Sequence, residues 1–211
     1  MKRIAPILLA LALASACNST DPFLYRAFLM GNPNVDGSLK GDDGITYVFN
    51  ELPDWSGAKR VVALLDVLKD LGDSTCQARL QSFSVPIFKQ PVVVEGQMPD
   101  SLGTESIFVS DVWFSGGCLN MSNVINVKTD GSGKHLINLA YDKAQSSEDT
   151  LKFIVKHNYP EGYEDGCTVY EYVFYSSFPV SGLMPERDST VLKISWEWKG
   201  SPASIAGKVK I

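Results

Sequence analysis

Hydrophobic and polar positions alternate along this chain with the period of a β-strand, most clearly in residues 192–199. The apolar positions of that stretch are Leu192, Ile194, Trp196 and Trp198. A period of two is typical of a sheet with one packed face and one solvent face. Residues 150–157 repeat it, and residues 169–178 are apolar on both faces except at Glu171. We therefore expect several strands here, with residues 169–178 as a central one.

The first half of the chain predicts shorter strands and contains no convincing helix. Residues 60–71 carry leucines at helical spacing, but their valines and a turn-like cluster at residues 69–73 favour a strand. The predicted strands of this half are residues 23–30, 45–49, 60–71, 76–85 and 92–95. Short strands without a helix predict a small barrel.

A change of composition at residues 97–103 is the predicted boundary between two domains. Beyond it the alternation is cleaner, and turn signals recur at the spacing of about 8–12 residues that is typical of a sandwich. The predicted fold class is therefore all-β, with a small β-barrel over residues 23–98 and an antiparallel β-sandwich over residues 99–211.

The start of the chain has the outline of a secretory signal that ends at a cysteine. Two basic residues precede an apolar region at residues 4–13, which is too short to span a membrane, and small residues then lead into Cys17. We predict a lipoprotein signal peptide over residues 1–16, a lipid on the Cys17 thiol and a polar tether over residues 17–22. The alternative is an ordinary signal peptide followed by a coincidental cysteine.

This reading makes the protein an outer-membrane lipoprotein of the cell envelope, because Asn18 rather than an acidic residue follows Cys17. The periplasmic and the outer face both stay open. Loss of residues 1–16 from the 211 leaves 195 residues, and loss of their two basic residues leaves 17 basic against 24 acidic ones, a net charge of −7. An acidic chain without a basic run is a poor partner for nucleic acid, so membrane contact is expected through the lipid.

Three cysteines remain once Cys17 is lipidated, namely Cys76, Cys118 and Cys167. We expect these three cysteines to be small residues of the core, because free cysteine is among the most buried residue types. If one disulfide forms, Cys118 and Cys167 are the expected pair, because both lie in strand-like runs of the second half. Their spacing is not that of a zinc site, and no cofactor is expected.

The chemistry-bearing residues do not form a catalytic pattern in sequence. His135 and His157 share the parity of apolar neighbours, which predicts rings packed beside a core rather than a base or a metal ligand. No nucleophile elbow or metalloprotease motif is present, and the carboxylates cluster in turns. Trp55 lies in a predicted loop and is the candidate ligand-binding residue, as a platform for a sugar or a peptide. We therefore expect no catalytic and no metal-binding residue.

An ordered set of motifs resembles the NigD-like lipoproteins. The strongest of them is SDVWFSGGCLNM at residues 110–121, in which a tryptophan strand leads through a turn to an "LN" strand. The others are DDG at residues 42–44, KRV at 59–61, HLINLAYD at 135–142, DTLKFIVKHNYPEG at 149–162 and an aromatic strand ending at Ser177 and Phe178. Cys118 departs from the large residue expected at its position. The resemblance implies an N-terminal OB-type barrel and a C-terminal β-sandwich on a lipid anchor, and it carries over no catalytic residue.

These observations predict a non-enzymatic, lipid-anchored binding or scaffold module of the cell envelope, with an unknown envelope protein or glycan as its partner. Three alternatives stay open. One is a glycan- or peptide-binding accessory of a surface uptake system. Another is a bacteriocin-immunity or inhibitor protein, which is suggested by the name of the family alone. The third is an unrecognised hydrolase, which would require His135 or His157 in an open cleft beside a serine or a carboxylate.

Overall fold

The computed structural model describes residues 23–131, 133–163 and 167–210, which form β-strands and two short 3-10 helices. The first strands are β1 (Tyr25–Pro33), β2 (Leu39–Gly41), β3 (Thr46–Phe49), β4 (Val61–Gly72), β5 (Thr75–Ser84), β6 (Ile87–Phe88) and β7 (Val92–Val94). The later ones are β8 (Phe108–Ser115), β9 (Cys118–Lys128), β10 (Leu136–Asp142), β11 (Thr150–Asn158), β12 (Val169–Pro179), β13 (Ser189–Trp198) and β14 (Ser201–Lys210). The predicted signal peptide, the Cys17 lipid and the tether lie outside these residues. No helix within the described ranges has the length and apolarity that crossing a bilayer requires.

Strands β1 to β5 close into a barrel in the order β1-β2-β3-β5-β4. The ambiguous stretch at residues 60–71 is strand β4, as predicted, and its alternate residues fill the barrel. The inward positions of β4 are Val61, Ala63, Leu65 and Val67. Three register shifts between β4 and β5 bend the sheet, and such bends allow a short sheet to close on itself. The prediction of a small barrel is confirmed.

The second part of the chain is a sandwich of two sheets. One sheet has the order β14-β13-β11-β10-β7 and the other the order β6-β12-β9-β8. The inner faces of both sheets pack on one apolar core, whose fully buried members include Leu119, Met121, Leu139, Phe153 and Phe178. Most neighbouring strands are antiparallel, and the parallel pairs are β7 with β10, β11 with β13 and β6 with β12. The all-β fold class is confirmed.

Strands β6 and β7 show where the pairing changes from barrel to sandwich. The expected boundary at residues 97–103 places residues 92–95 in the barrel, but β7 pairs with β10 in the five-stranded sheet. Strand β6 pairs with β12 in the other sheet. The chain therefore leaves the barrel after Ser84 and contributes one short strand to each sheet of the sandwich. Such short strands have no pattern of their own, so their partners are set by the packing of the longer strands.

A buried arginine joins the barrel to the sandwich. Arg60, just before β4, is 1% exposed. Its guanidinium donates to the carboxylate of Asp42 on the barrel and to the Asn120 side-chain oxygen of β9, 3.1 Å away. Ser115 of β8 donates to the same carboxylate, and Ser177 of β12 donates to Asn120. A buried charge needs such a set of partners, so the network fixes the contact between the two parts.

Gly116, in the turn between β8 and β9, lets the sandwich approach this network. Its φ is +57°, and a Cβ there would collide with the carboxylate of Asp42 and press on the guanidinium of Arg60. Glycine has no Cβ and adopts positive φ without strain. The first glycine of the SDVWFSGGCLNM motif is therefore needed for the contact between barrel and sandwich.

We predict that Asp42→Ala destabilises the protein by about 3–5 kcal/mol, because it leaves the buried guanidinium of Arg60 without its counter-charge. Chemical denaturation followed by tryptophan fluorescence measures the free energy of unfolding. Glu51→Ala is the matched control, because it removes an exposed carboxylate from the same barrel and is expected to change stability by less than about 0.5 kcal/mol. An equal decrease in the free energy of unfolding for the two variants would contradict a stabilising role of the Arg60 network.

Candidate functional site

Strand β12 has one side that is only partly occupied. Its eleven residues all pair with β9, from Val169 opposite Lys128 to Pro179 opposite Cys118. On the other side, β6 pairs with it at Ser176 and Ser177 alone. Within the described part of the chain, residues 169–175 therefore have no neighbouring strand on that side. Every second peptide group there points its N–H and C=O away from β9, as the geometry of an antiparallel ladder requires.

An aromatic groove of about 440 Å³ lies beside this free edge. Three alternate residues of β12 line it, because residues separated by two share one face of a strand, and Tyr175 lines it as well. The lining from β12 and its barrel-side neighbours consists of Tyr170, Tyr172, Phe174, Tyr175, Val85 and Ile87. Tyr172 is 49% exposed, and its ring stacks on Phe174 at a centroid distance of 6.1 Å. The opposite wall comes from Ile137 of β10 and from His135, just before β10, so the groove is an open end of the sandwich core.

The barrel contributes to the rim of this groove. Phe28, on the outer face of β1, is 60% exposed and contacts Tyr175 of β12 at a centroid distance of 5.9 Å. Val85, the residue after β5, lines the groove and is also exposed. The aromatic surface therefore continues from the sandwich to the barrel, and its shape depends on how the two parts are held together.

The other sheet edges carry features that discourage pairing with another strand. Strand β14 has Pro202 near its start and Lys208 and Lys210 at its end. Strand β8 has a register shift between Val109 and Asp111, and β7 is three residues long. Proline, lysine, bulges and short length are the usual protections of edge strands. The free stretch of β12 contains no proline, and its one charged residue is Glu171.

The two histidines meet at one end of the groove. Nδ1 of His135 lies 2.9 Å from Nε2 of His157, and Nδ1 of His157 lies 2.9 Å from the Ser106 carbonyl oxygen. The His135 ring also stacks on Tyr159 at a centroid distance of 4.4 Å. Gly133 makes room for Tyr159, because a Cβ at position 133 would overlap the tyrosine ring. Its φ of +91° is also a backbone conformation that favours glycine. The register that pairs Ile137 with His157 brings the two rings together.

The hydrogen bonds define the protonation of this histidine pair. A carbonyl oxygen only accepts, so Nδ1 of His157 donates to Ser106 and its Nε2 accepts from Nδ1 of His135. Burial lowers the pKa of both rings below the usual value, and for His135 the neighbouring His157 lowers the pKa further. Glu161 and Glu105 oppose this shift at His135 by a smaller amount. Both rings are therefore neutral near pH 7.

The contacts of the histidine pair are with a carbonyl oxygen and with aromatic rings. In the described residues, the histidine pair contacts a carbonyl oxygen and tyrosine rings, and neither ring hydrogen-bonds to a serine, threonine or cysteine nucleophile. A general base needs such a partner within hydrogen-bond reach. The same ranges contain no group of three or more His, Cys, Asp or Glu side chains arranged to hold a metal ion.

Trp55 corrects one expectation about the site. Its indole is 7% exposed, donates a 3.0 Å hydrogen bond to the Gly37 carbonyl oxygen and packs against Phe49 and Phe83. It belongs to the barrel core, so it offers no stacking face for a ligand. The loop prediction was right about the backbone, but an aromatic ring in a loop at a barrel end can fold back onto the barrel.

Other predicted residues lie as follows. Cys17 is outside the described residues. Cys76 and Cys118 are buried, Cys167 is partly exposed, and all three are free thiols.

The tyrosines of the groove were missed, because residues 169–178 predict a central strand. That prediction holds for the second half of β12, whereas Tyr170 and Tyr172 in the first half are exposed. The signal available in the sequence was Glu171, the one charged residue of this run.

The barrel, the two-sheet sandwich and the groove define an all-β protein without a catalytic constellation in its described residues. Residues 90–204 match the family model of the NigD-like C-terminal beta sandwich domain. The chain therefore belongs to the NigD-like family, which confirms the resemblance found in its motifs. No curated protein sequence matches it significantly.

Solved structures share the fold over most of their length. A protein of unknown function from Bacteroides vulgatus is 14% identical with a TM-score of 0.68, over 89% of this chain and 92% of that one. A candidate lipoprotein from Bacteroides fragilis is 11% identical with a TM-score of 0.63, over 88% and 97%. A NigD-like immunity protein from Bacteroides caccae is 16% identical with a TM-score of 0.58, over 90% and 98%. At these identities the likeness concerns the fold.

The histidine pair predicts a pH dependence of stability. Because the pKa of each ring is lowered in the fold, the unfolded chain binds more protons between the folded and the unfolded pKa, which is about 6.5. The free energy of unfolding therefore falls as the pH drops from about 7.5 to about 5.5. Urea denaturation at a series of pH values measures this change in the free energy of unfolding.

The variant His135→Gln is expected to have a shallower pH dependence over this range, and His135→Gln/His157→Gln a still shallower one. The slope of stability against pH is compared, so a constant loss of stability in the variants does not affect the test. Identical slopes in the three proteins would contradict the assignment.

Proposed function

We propose that this protein is a lipid-anchored, non-catalytic binding module of the cell envelope, and that it captures an extended peptide segment of an envelope partner in the groove beside β12. The observation that carries the proposal is the combination of a free strand edge at residues 169–175 with exposed aromatic side chains on the same stretch. A strand that is added to an open edge gains main-chain hydrogen bonds, and its alternate side chains fill the pockets next to that edge.

The groove favours a peptide with apolar side chains at alternate positions. Its lining from β9, β10 and β12 is mainly aliphatic and aromatic, with His135 at one end. The direction of β6 supports a parallel arrangement, because β6 already pairs with β12 in parallel and begins, with Ile87 opposite Ser176, directly after the free stretch. Glu171, on the free stretch, forms an ion pair with Lys199 at 3.5 Å, so the main charge at this edge is already compensated.

The membership in the NigD-like family and the fold shared with a candidate lipoprotein support the location in the cell envelope. Cys17 then holds the protein at the membrane through its lipid. One acyl chain binds only marginally, whereas two or more give stable anchoring. A fully matured lipoprotein cysteine carries three chains, so the Cys17 lipid is sufficient as an anchor. The outer membrane is the proposed location, in agreement with Asn18 after the cysteine.

We predict that the purified protein selects extended peptides from a phage-displayed library of random heptamers. The enriched sequences should carry apolar residues at alternate positions and lack proline, because proline cannot donate to a strand ladder. The best peptide is then synthesised, and its affinity is measured by fluorescence polarisation. Tyr172→Ala is expected to weaken binding by roughly tenfold, through loss of an exposed aromatic contact. Methylation of the peptide nitrogens that face β12 should abolish binding.

The control for this experiment is Ile205→Ala, which removes an equally exposed apolar side chain from the protected edge strand β14 and should leave the affinity unchanged. An equal loss in both variants, or undiminished binding of the N-methylated peptide, would contradict strand addition at β12. Binding to a glycan array that depends on Tyr172, without any peptide selection, would instead support the glycan-binding alternative.

We predict that Cys17→Ser moves the protein from the membrane fraction to the soluble fraction of the envelope. The substitution removes the thiol that would receive the diacylglyceryl group. Metabolic labelling with palmitate and mass spectrometry of the amino-terminal peptide are the measurements. A native chain whose mature terminus carries no lipid would contradict the anchor while leaving the peptide groove to be judged by its own experiment.

The immunity role remains the second hypothesis, since a structural neighbour from Bacteroides caccae is named a NigD-like immunity protein. In this protein such a role would mean that the bound segment belongs to a toxin. If a strain that lacks the gene keeps normal resistance to the toxins of its sibling strains, the immunity role is excluded.

A further inference from the structure

The barrel exposes an apolar patch where the described chain begins. Phe23, Leu24 and Tyr25 are consecutive, and their side chains are 41%, 64% and 45% exposed. Leu71, near the end of β4, is exposed as well. We call these four residues the anchor-side patch. Exposed apolar side chains at one end of a folded barrel commonly mark a contact site.

The register of β1 and β4 places the patch on the side from which the chain arrives. The two strands are antiparallel and pair Tyr25 with Val67. The last residues of β4, up to Gly72, therefore run past the start of β1. Leu71 lies on this extension, four residues beyond Val67, which corresponds to about 13 Å along a strand. The patch therefore occupies the end of the barrel that is nearest to Cys17 in the sequence.

The length of the connecting chain limits the distance between this end and the anchor. Phe23 follows Cys17 by six residues, and six residues span at most about 20 Å when fully extended. If Cys17 carries its lipid, as the proposed function states, the barrel end stays within that distance of the bilayer surface.

We infer that the anchor-side patch lies against the lipid surface and seats the barrel on the membrane. This inference rests on the lipid at Cys17. Tyrosine and phenylalanine prefer the boundary between headgroups and acyl chains, where one end of the residue is wet and the other apolar. Leu24 and Leu71 add aliphatic surface at the same end. Interfacial contacts of this kind bind in proportion to the apolar area that they bury.

The charges around the patch indicate which lipid surface it fits. The exposed cations are Arg26 and Lys69, and the exposed carboxylates of the neighbouring hairpin are Asp70 and Asp73. The Arg26 side chain is already used, because its Nε donates to the buried Asp66 carboxylate at 2.8 Å and its guanidinium lies over the Phe23 ring. With Arg26 compensated by Asp66, the exposed charges that remain are Lys69 against Asp70 and Asp73, a net charge of −1, so no excess of positive charge is available for anionic lipid and the contact is apolar. A zwitterionic surface satisfies it, and anionic lipid is not required.

Contact of the anchor-side patch with the lipid surface would give the lipidated protein a fixed orientation relative to the membrane. Phe28, on the same strand as the patch, contacts Tyr175 at the rim of the groove. A barrel held by both its lipid and its patch therefore also limits the direction in which the groove faces. A lipid on a free tether would leave this direction undetermined.

The test places a tryptophan in the patch and measures its contact with lipid. The full chain with Leu24→Trp is produced in a bacterial host that processes lipoproteins and is reconstituted into phosphatidylcholine vesicles, with and without brominated acyl chains. Bromine quenches a tryptophan that reaches the acyl region. The matched control is Ile205→Trp, at an exposed apolar position on β14. The signal of each added tryptophan is the difference from the unsubstituted chain.

We expect the tryptophan at position 24 to be quenched about threefold more strongly than the one at position 205, and to the same extent when phosphatidylglycerol is added. Mass spectrometry of the same sample reports whether Cys17 is lipidated. A chain without lipid would contradict the proposed anchor. A lipidated chain with equal quenching at the two positions would overturn the seated barrel and leave the anchor intact. Quenching that requires phosphatidylglycerol would overturn the apolar contact in favour of an electrostatic one.

Discussion

The unequal pairing of β12 is the constraint on which the rest of this structure depends. The strand is held by β9 along its whole length and by β6 at two residues. Its second half consequently lies inside the sandwich, with Ser176, Ser177 and Phe178 fully buried. Its first half keeps unpaired peptide groups and exposed aromatic side chains. A strand of this kind is an aggregation hazard unless something covers it, and this chain protects its other edges.

The Arg60 network extends the effect of this constraint to the barrel. The guanidinium reaches Asn120 of β9, and Ser177 of β12 donates to the same side-chain oxygen. The strand that carries the groove is therefore connected by hydrogen bonds to the arginine that orients the barrel. Phe28 and Val85 then complete the rim from the barrel side. A change of this interface would alter the groove even though no residue of the groove itself is changed.

Much of the fold could be predicted from periodicity, because long strands with one buried face carry their pattern in sequence. Strand β4 and the alternation in β11 and β13 are examples. Strands β6 and β7 could not be assigned, because two or three residues have no period and their partners are chosen by packing. The burial of Trp55 depends on a hydrogen bond to Gly37, 18 positions away in sequence, which no local pattern indicates.

The site was less predictable than the fold, because it depends on contacts between distant parts of the chain, which leave no local pattern in the sequence. The contact between His135 and His157 requires the register of β10 and β11, and parity alone gives only the face of each ring. The free edge of β12 follows from the shortness of β6, which is a property of another part of the chain. Composition gave the acidic charge and the aromatic residues, but the meeting of strand edge and aromatic groove is a tertiary feature.

The most direct test of the central claim is amide hydrogen exchange of β12 with and without the peptide selected by the protein. Strand addition predicts that the outward-pointing amides of residues 169–175 become slower to exchange in the complex, while the amides of β14 do not change. Unchanged exchange along residues 169–175, with protection at β14 or in the barrel instead, would contradict the account.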